Sequence, residues 1–212
     1  VGSMRSAEAR ARDLSEKGDS FVIPVGGSSA LANIGFVAAG FELAEQIAAG
    51  DLEEPDHVYV PLGTNGSAAG LALGLAAAGL ERVKVIAVRA SSPSTSSADN
   101  VARSISDTSA LLRANEPTFP EVRARISIDG AELGRGYALS TPRADRARSV
   151  AGAGGLALET TYTAKAFASL VRDAREGHVK RALFWMTHDP RPGPSVAAKD
   201  ASVPRDLAGW LG

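Results

Sequence analysis

The chain has 212 residues, 44% of them hydrophobic, which suits one large globular domain, or one domain and a piece of a second. Its 23 basic and 24 acidic residues are spread along the chain and leave a formal net charge of -1, which argues against nucleic acid as a partner. The absence of cysteine excludes disulfides and thiolate sites, and because it fits a reducing compartment we expect a cytoplasmic protein.

Neither a metal site nor a membrane segment is expected. His57, His178 and His188 lie far apart in sequence, and none has a second ligand type at metal spacing. The longest apolar run, at 68–80, is too short and too rich in glycine to span a bilayer, and Met4 leads directly into a charged stretch. We therefore expect no membrane anchor and no signal peptide.

The first half of the chain repeats one pattern of apolar run, loop and helix. Residues 6–17 predict an exposed helix that ends at Gly18. An apolar run at 21–25, a loop of small residues and helical spacing over 31–49 indicate strand, loop and helix. The pattern recurs as a strand at 57–61, a loop at 62–66, a helix at 67–78 and a strand at 84–88.

The second half continues the alternation. A serine-rich loop at 90–98 precedes a polar surface helix at 99–115 and a strand at 123–128. Thr141 followed by Pro142 predicts a helix start, because a hydroxyl can cap and proline fits the first helical position. A helix that ends at Gly177, a strand at 179–186 and an irregular tail at 189–204 complete the chain.

Alternation of strands and helices with short turns is typical of a parallel sheet. Parallel strands need crossover connections, and the crossover helices cover both faces of the sheet. The sequence therefore predicts an α/β fold, a three-layer sandwich with a mostly parallel sheet. In such folds ligands bind in a crevice at the carboxyl ends of the strands.

Five residues between the strand at 57–61 and the next helix form a candidate phosphate-binding loop: Gly63, Thr64, Asn65, Gly66 and Ser67. A helix start presents unpaired N–H groups and the positive end of the helix dipole, which favour an anion. The two glycines let the backbone approach a ligand closely, and the two hydroxyls add donors. Because the loop matches neither the Walker pattern nor the dinucleotide fingerprint, a plain turn with a serine cap is an equal alternative.

Two further features lie where a strand is predicted to end. The loop at 26–29, Gly-Gly-Ser-Ser, could bind an anion in the same way, but a plain turn is favoured there because one such loop usually suffices at a crevice. Thr187 follows the last predicted strand, so its hydroxyl is expected at the ligand-binding edge of the sheet.

Charged side chains in the second half have two interpretations. Lys165 stands one turn from Tyr162, and a cation there would lower the pKa of the tyrosine, as proton transfer requires. The spacing alone favours the alternative, a packed tyrosine and a solvated lysine. Arg143, Arg146 and Arg148 are interpreted as a solvated helix face, because nothing beside them suggests an acidic partner.

Five stretches resemble, in order, the family of 1-aminocyclopropane-1-carboxylate (ACC) deaminase and D-cysteine desulfhydrase. They are IPVGGSSAL at 23–31, GTNGSAAGL at 63–71, GRGY at 134–137, LETTYTAKA at 158–166 and LFWMTH at 183–188. The match covers almost the whole chain. The resemblance implies a fold type II pyridoxal-phosphate enzyme, with the fold of the tryptophan synthase β subunit.

The resemblance also implies roles for individual residues. Pyridoxal phosphate would be the cofactor, with its phosphate in the loop from Gly63 to Ser67, where Asn65 and Ser67 replace a glycine and a threonine of the family. Tyr162 and Tyr137 would be the catalytic tyrosines. Thr163 and Thr187 would lie beside the pyridine nitrogen, and Lys165 corresponds to a lysine of the family's tyrosine motif that does not hold the cofactor.

The same resemblance places the chain in the C-terminal part of such an enzyme. Residues 1–30 would be a remnant of a smaller N-terminal domain and the crossover, and residues 31–212 the large cofactor-binding domain. We expect the segment that carries the Schiff-base lysine, and the stretch that grips the substrate carboxylate, to be absent. The lysines of the chain all fall outside the expected position: 17, 84, 165, 180 and 199.

The implied activity is that of a lyase or deaminase that acts on a small amino acid and releases ammonia and a keto acid. The Tyr162–Thr163 pair resembles the D-cysteine desulfhydrase branch, because the deaminase branch typically has an acidic residue after the tyrosine. The full-length enzyme is expected to be a homodimer, and this chain alone to be inactive. The alternative is a non-catalytic descendant, a pseudoenzyme that binds a phosphate-bearing ligand or a partner chain.

Overall fold

A single parallel sheet organises the protein. The computed structural model describes residues 4–18 and 20–191, so the predicted tail beyond residue 191 lies outside the described residues. The strands are β1 His57–Leu62, β2 Lys84–Arg89, β3 Ile126–Asp129 and β4 Ala182–Phe184, in the order β3-β2-β1-β4. Every neighbouring pair is parallel, which confirms the predicted sheet.

Helices cover both faces of this sheet. Val58, Val60 and Leu62 of β1 enter one core, together with apolar residues of three helices, whereas Tyr59 points to the opposite core. This alternation follows from the two-residue period of a strand. The predicted three-layer sandwich is therefore confirmed. The helices are α1 Met4–Glu16, α2 Ala30–Ala49, α3 Gly66–Ala77, α4 Ala98–Asn115, α5 Pro142–Ala153 and α6 Thr163–Arg175.

Hydroxyl caps begin three of these helices. The side chains of Ser29, Ser97 and Thr141 each accept a hydrogen bond, 3.1 Å long, from the backbone N–H three residues ahead. Such a cap satisfies one of the donors that a helix start leaves unpaired. The helix start predicted at Thr141 and Pro142 is confirmed. Within the described ranges, no helix has both the length and the apolar character needed to cross a bilayer.

The predicted strand at 21–25 is wrong. Residues 20–24 are irregular and lead into a short 3-10 turn, Val25–Gly27. Phe21 and Ile23 are 84% and 75% exposed, and Pro24 has no N–H to donate to a neighbouring strand. β3 and β4 are also shorter than the predicted runs at 123–128 and 179–186. A domain division near residue 30 stays a prediction.

Glycine allows α2 and α3 to pack closely. A β-carbon added at Gly40 would lie 2.6 Å from the backbone nitrogen of Leu75 and 2.7 Å from the carbonyl carbon of Gly74. Both contacts are with backbone, which cannot move aside as a flexible side chain can. Close packing of these two helices therefore depends on the missing side chain at Gly40, and it sets the position of α3 and of the loop before it.

Replacing Gly40 should destabilise the protein, whereas replacing a nearby glycine should not. Gly40→Ala is expected to lower the free energy of unfolding by about 1–3 kcal/mol, because the methyl group overlaps the α3 backbone. Gly35→Ala in the same helix meets nothing within 4 Å, and it should raise stability by up to about 1 kcal/mol through helix propensity. Urea unfolding measures both changes, and equal effects would contradict the close contact.

Candidate active site

A crevice of about 620 Å³ opens at the carboxyl edge of the sheet. The loops that follow β1, β2 and β4 contribute to its lining. The predicted residues that it brings together are Gly63, Thr64, Asn65, Gly66, Ser67, Tyr137, Tyr162 and Thr187. These residues span more than half of the chain, and the sheet edge brings them to one crevice.

The loop from Gly63 to Ser67 leads from β1 into α3, as predicted. α3 begins at Gly66, so the free N–H groups of its first turn and its dipole are available at the crevice. The hydroxyls of Thr64 and Ser28 are hydrogen-bonded at 2.7 Å. Gly26 has a φ of 66°, and a β-carbon there would lie 2.2 Å from Thr64 Oγ1. The loop at 26–29 therefore packs against the loop at 63–67, which we call the cup, and it contributes to the lining of the crevice.

Asn65 adopts a backbone conformation that is most easily reached by glycine. Its φ of 77° lies in the left-handed region, where asparagine is among the most tolerated non-glycine residues. Its Nδ2 donates to the carbonyl of Thr95 at 3.1 Å. Among the described residues, its Oδ1 is the one buried side-chain polar atom without a hydrogen-bond partner. Because this oxygen only accepts hydrogen bonds, it does not serve a phosphate, whose oxygens also accept.

The crevice has a neutral, hydroxyl-rich lining. None of the described residues that line it is Asp, Glu, Lys, Arg or His. Ser91, Ser92 and Thr95 form the wall after β2, and Ser91 Oγ donates to the carbonyl of Gly63 at 2.7 Å, which fixes the start of the cup. An anion here would be stabilised by N–H groups, hydroxyls and the α3 dipole.

Two tyrosines form a hydrogen-bonded pair on another side of the crevice. The Tyr162 hydroxyl donates to that of Tyr137 at 3.0 Å, and the rings meet edge to face with centroids 5.9 Å apart. Burial, the hydrogen bond to Tyr137 and the negative charge of Glu159 raise the pKa of Tyr162 to about 12. The hypothesis that Lys165 lowers the pKa of Tyr162 is therefore wrong. Tyr162 is protonated at neutral pH and can donate a hydrogen bond.

Glu159 caps the start of α6 and so holds Tyr162. One carboxylate oxygen accepts from the N–H groups of Tyr162 and Thr163, at 2.8 and 2.5 Å, and the other accepts from Thr161 at 2.6 Å. Burial alone would raise the pKa of Glu159, but these backbone hydrogen bonds outweigh it and leave the pKa below its ordinary value. Glu159 was not among the predicted site residues, although a carboxylate just before a helix start commonly indicates a cap.

Thr163 does not line the crevice with the other predicted residues. It is fully buried, and its Oγ1 lies 2.9 Å from the backbone nitrogen of Glu159 and 3.1 Å from the Glu159 carboxylate. Its hydroxyl is thus committed to the turn before α6. Thr187, by contrast, lines the crevice at the end of the segment after β4.

The prediction of a solvated Lys165 is wrong, whereas the predicted arginine face is exposed but Arg143 does have an acidic partner. Lys165 is fully buried, and its Nζ donates to the carbonyls of Leu133 and Gly136 at 3.0 and 3.1 Å. Arg143 donates to the buried carboxylate of Glu132 at 2.7 Å. Lys165 and Arg143 each bind an acceptor in the loop before α5. The partners are too far apart in sequence for a local pattern to predict these contacts.

Two other features lie away from the crevice. A groove of about 530 Å³ between α5 and α6 is lined by four arginines: 143, 146, 172 and 175. Asp173, Glu176 and His178 could bring three ligand atoms together, contrary to the expectation that no histidine has such neighbours. Asp173, however, already accepts hydrogen bonds from Tyr59 and Arg172. The loops at the sheet edge make the crevice the better candidate site.

A family model described as pyridoxal-phosphate dependent enzyme matches residues 1–187. The chain belongs to this family of pyridoxal-phosphate-dependent enzymes.

Individual relatives in the family agree with the resemblance seen in the motifs. Nocardicin C-9' epimerase of Nocardia uniformis subsp. tsuyamanensis is 33% identical over 194 residues, 89% of this chain and 56% of the relative. A putative ACC deaminase of Pyrococcus horikoshii is 30% identical over 186 residues, 86% and 53% of the two chains. D-cysteine desulfhydrase of Klebsiella pneumoniae subsp. pneumoniae is 32% identical over 154 residues, 71% and 44%.

A solved structure gives the same result for the fold. The crystal structure of an ACC deaminase homologue superposes with a TM-score of 0.65 and 28% identity, covering 85% of this chain and 53% of the other. The fold is that of the fold type II enzymes, as predicted. The chain spans about half the length of the curated relatives it matches.

The crevice fits the cofactor of the family. Its volume is in the range of small-molecule sites. The cup offers N–H groups and hydroxyls to a phosphate, and the missing side chain at Gly63 lets the Tyr162 ring pack against the cup, because a β-carbon there would lie only 3.2 Å from that ring. These are features that a phosphate-bearing cofactor can use.

Loss of the Glu159 charge should loosen the start of α6. Glu159→Gln is expected to lower the free energy of unfolding at pH 7 by about 1–2 kcal/mol, because one amide cannot replace a carboxylate that accepts from three N–H groups. The folded-state pKa is lowered, so the carboxylate stabilises the fold above the ordinary pKa of about 4.3 and less as the pH falls below it.

Unfolding curves at pH 7 and at acid pH measure this effect. The difference in the free energy of unfolding between wild type and Glu159→Gln should disappear at acid pH. Glu45→Gln, at an exposed position of α2, is the control and should change little at either pH. An equal difference in the free energy of unfolding at pH 7 and at acid pH would show that the Glu159 charge does not cause the stabilisation.

Proposed function

We propose that this chain forms the cofactor-binding part of a pyridoxal-phosphate-dependent lyase or deaminase of the D-cysteine desulfhydrase kind, which acts on a small amino acid. The observation that carries the proposal is the joint lining of one crevice by the cup before α3, the tyrosine pair and Thr187. Together these groups provide an anion site, a ring-sized space and hydroxyl groups for proton handling.

Each group has a distinct task in this proposal. The N–H groups at the start of α3, with Thr64 and Ser67, would hold the phosphate. Thr187 would offer its hydroxyl to the pyridine nitrogen, which suits a neutral ring. Pyridoxal phosphate, when bound, supplies an electron sink for the substrate. The protein then contributes orientation and control of protons.

The tyrosine pair would control a proton near the substrate. The pKa of Tyr162 is raised to about 12, so this tyrosine stays protonated at neutral pH. Its hydroxyl donates a hydrogen bond to the Tyr137 oxygen. Tyr137 is 57% exposed, and its own hydroxyl hydrogen is free to point toward a substrate group in the crevice. We propose that Tyr137 contacts the substrate and that Tyr162 orients it.

No lysine of the described part of the chain lines the crevice. Lys165, the nearest in sequence to a site residue, is buried and bonded to backbone carbonyls. This observation favours a second candidate for the chain by itself: non-covalent binding of a phosphate-bearing ligand without turnover. A lysine normally both holds such a cofactor and moves a proton, so turnover would need one supplied from elsewhere.

The names of the relatives include deaminase, desulfhydrase and epimerase. We propose the desulfhydrase type of reaction, because Thr163 follows the active-site tyrosine where an acidic residue would indicate the deaminase branch. Release of hydrogen sulfide together with a keto acid and ammonia from D-cysteine would support this choice. Inversion at the amino-acid carbon without ammonia release would favour the epimerase type instead.

A negative charge introduced into the cup should weaken recognition of the phosphate. Ser67→Asp is expected to weaken binding of pyridoxal phosphate by at least about tenfold, because an anion about 4 Å away costs several kcal/mol at an intermediate dielectric constant. An acidic residue in the first turn of α3 is favourable for the helix itself, so the variant should fold. Absorbance or fluorescence titration measures the affinity.

Two comparisons make this test specific to the phosphate. Ser67→Asn has a side chain of similar size without the charge, and it should bind far more tightly than Ser67→Asp. Pyridoxal, which lacks the phosphate, should bind weakly to every form. If wild type and Ser67→Asp bind pyridoxal phosphate equally well, the cup is not the phosphate site.

The chain alone should hold the cofactor without a covalent bond. Reduction of a mixture with pyridoxal phosphate by borohydride is expected to label no lysine stoichiometrically, because none of the described lysines lines the crevice. Peptide mass spectrometry locates any label. Stoichiometric labelling of one lysine, whether Lys165 or Lys199, would contradict this prediction, and ammonia release from D-cysteine by the chain alone would contradict the second candidate.

A further inference from the structure

Lys165 is fully buried, yet the mechanism proposed above does not use it. Lysine is almost never buried without partners. Its Nζ donates to the carbonyl oxygens of Leu133 and Gly136, at 3.0 and 3.1 Å. Because both acceptors belong to one turn, the ammonium group binds that turn as a unit.

The turn bound by Lys165 leads directly into Tyr137. Gly136 donates its N–H to the Leu133 carbonyl at 3.3 Å, and Gly134 and Gly136 both have positive φ angles, 62° and 142°. The segment contains no helix or strand, and Tyr137 is mostly exposed. Apart from the contact with the Tyr162 ring, side-chain packing contributes little to fixing Tyr137. The position of Tyr137 therefore depends on the backbone just before it.

The other end of the connection is the helix that carries Tyr162. Lys165 lies in the first turn of α6, and Tyr162 is the residue before that helix, fixed by the Glu159 carboxylate. The Lys165 side chain thus runs from the Tyr162 helix to the Tyr137 turn. Burial lowers the pKa of Lys165, and the negative charges of Glu132 and Glu159 offset this effect only in part.

We propose that Lys165 is a positioning residue that sets the Tyr137–Tyr162 hydrogen bond by clamping the turn before Tyr137 to the start of α6. It acts on the site only through the Leu133 and Gly136 carbonyls and contacts no ligand. The importance of the clamp for catalysis rests on the proposed function, but the clamp itself can be tested without cofactor.

The chain has three tyrosines, so ¹³C labelling of the tyrosine ring carbon that bears the hydroxyl gives one NMR signal for each. Lys165→Met keeps the length and bulk of the side chain but removes the donors. If the clamp sets the tyrosine pair, the titration midpoint of Tyr162 falls from about 12 toward the ordinary tyrosine pKa of about 10. Tyr59, which is bonded to Asp173, should not change and is the internal reference.

The direction of the change separates positioning from simple electrostatics. Removal of a positive charge disfavours the ionised tyrosine and by itself would raise the Tyr162 midpoint. A fall therefore supports the clamp, and a rise or no change overturns it. Lys165→Arg, which keeps charge and donors, should restore most of the wild-type midpoint, and Lys180→Met at an exposed site should leave it unchanged.

A second measurement keeps the test valid if Lys165→Met does not fold. Coupling between two interactions is reciprocal, so loss of the tyrosine pair must loosen the clamp by the same factor. In Tyr162→Phe, which retains Lys165, the Nζ protons of Lys165 should exchange with water about three to ten times faster by ¹⁵N-lysine NMR. Unchanged exchange would overturn the proposal. Both readouts are independent of pyridoxal phosphate, so failure to bind it would affect only the proposed function.

Discussion

β1 has a parallel neighbour on each side, and this pairing decides where the loops of the protein can lie. Parallel strands cannot be joined by tight turns, so every connection crosses over a face of the sheet and the strands all end at the same edge. The cup, the serine-rich wall and Thr187 meet there for that reason. The closely packed α2 and α3 then determine how the first turn of α3 is presented to the crevice.

The loop between β3 and α5, which carries Tyr137, is held by buried charged groups and not by regular secondary structure. Glu132 is fully buried and accepts hydrogen bonds from Arg143 and Thr141 at the start of α5. Arg172 of α6 reaches Asp129 at the end of β3 at 2.9 Å. Removing one member of such a buried pair leaves an uncompensated charge, which is costly. The loop that carries Tyr137 is therefore held at several points without being a helix or a strand.

Local patterns were sufficient for the helices, for β1 and β2 and for the cap at Thr141, because apolar period and helix-start chemistry act between near neighbours. The alternation around β1 and the start of α5 at Thr141 are examples. Contacts between distant segments could not be predicted in this way. Lys165 was predicted to be solvated and Arg143 to lack an acidic partner because their acceptors lie in a different loop, and the run at 21–25 has strand composition but no neighbouring strand. Position in the chain drew attention to Thr187 and Tyr162, whereas Tyr137 and the catalytic role of the two tyrosines came from the family resemblance alone.

The neutral lining of the crevice has a consequence for how binding depends on solution conditions. The described lining contains no carboxyl, imidazole, amine or guanidine group, and peptide dipoles do not titrate. The protein side of the site thus keeps the same charge across the neutral pH range. A phosphate ester itself loses its second proton near pH 6. Affinity for such a ligand would therefore follow the ionisation of the ligand, and the protein would act as a fixed, pH-independent field.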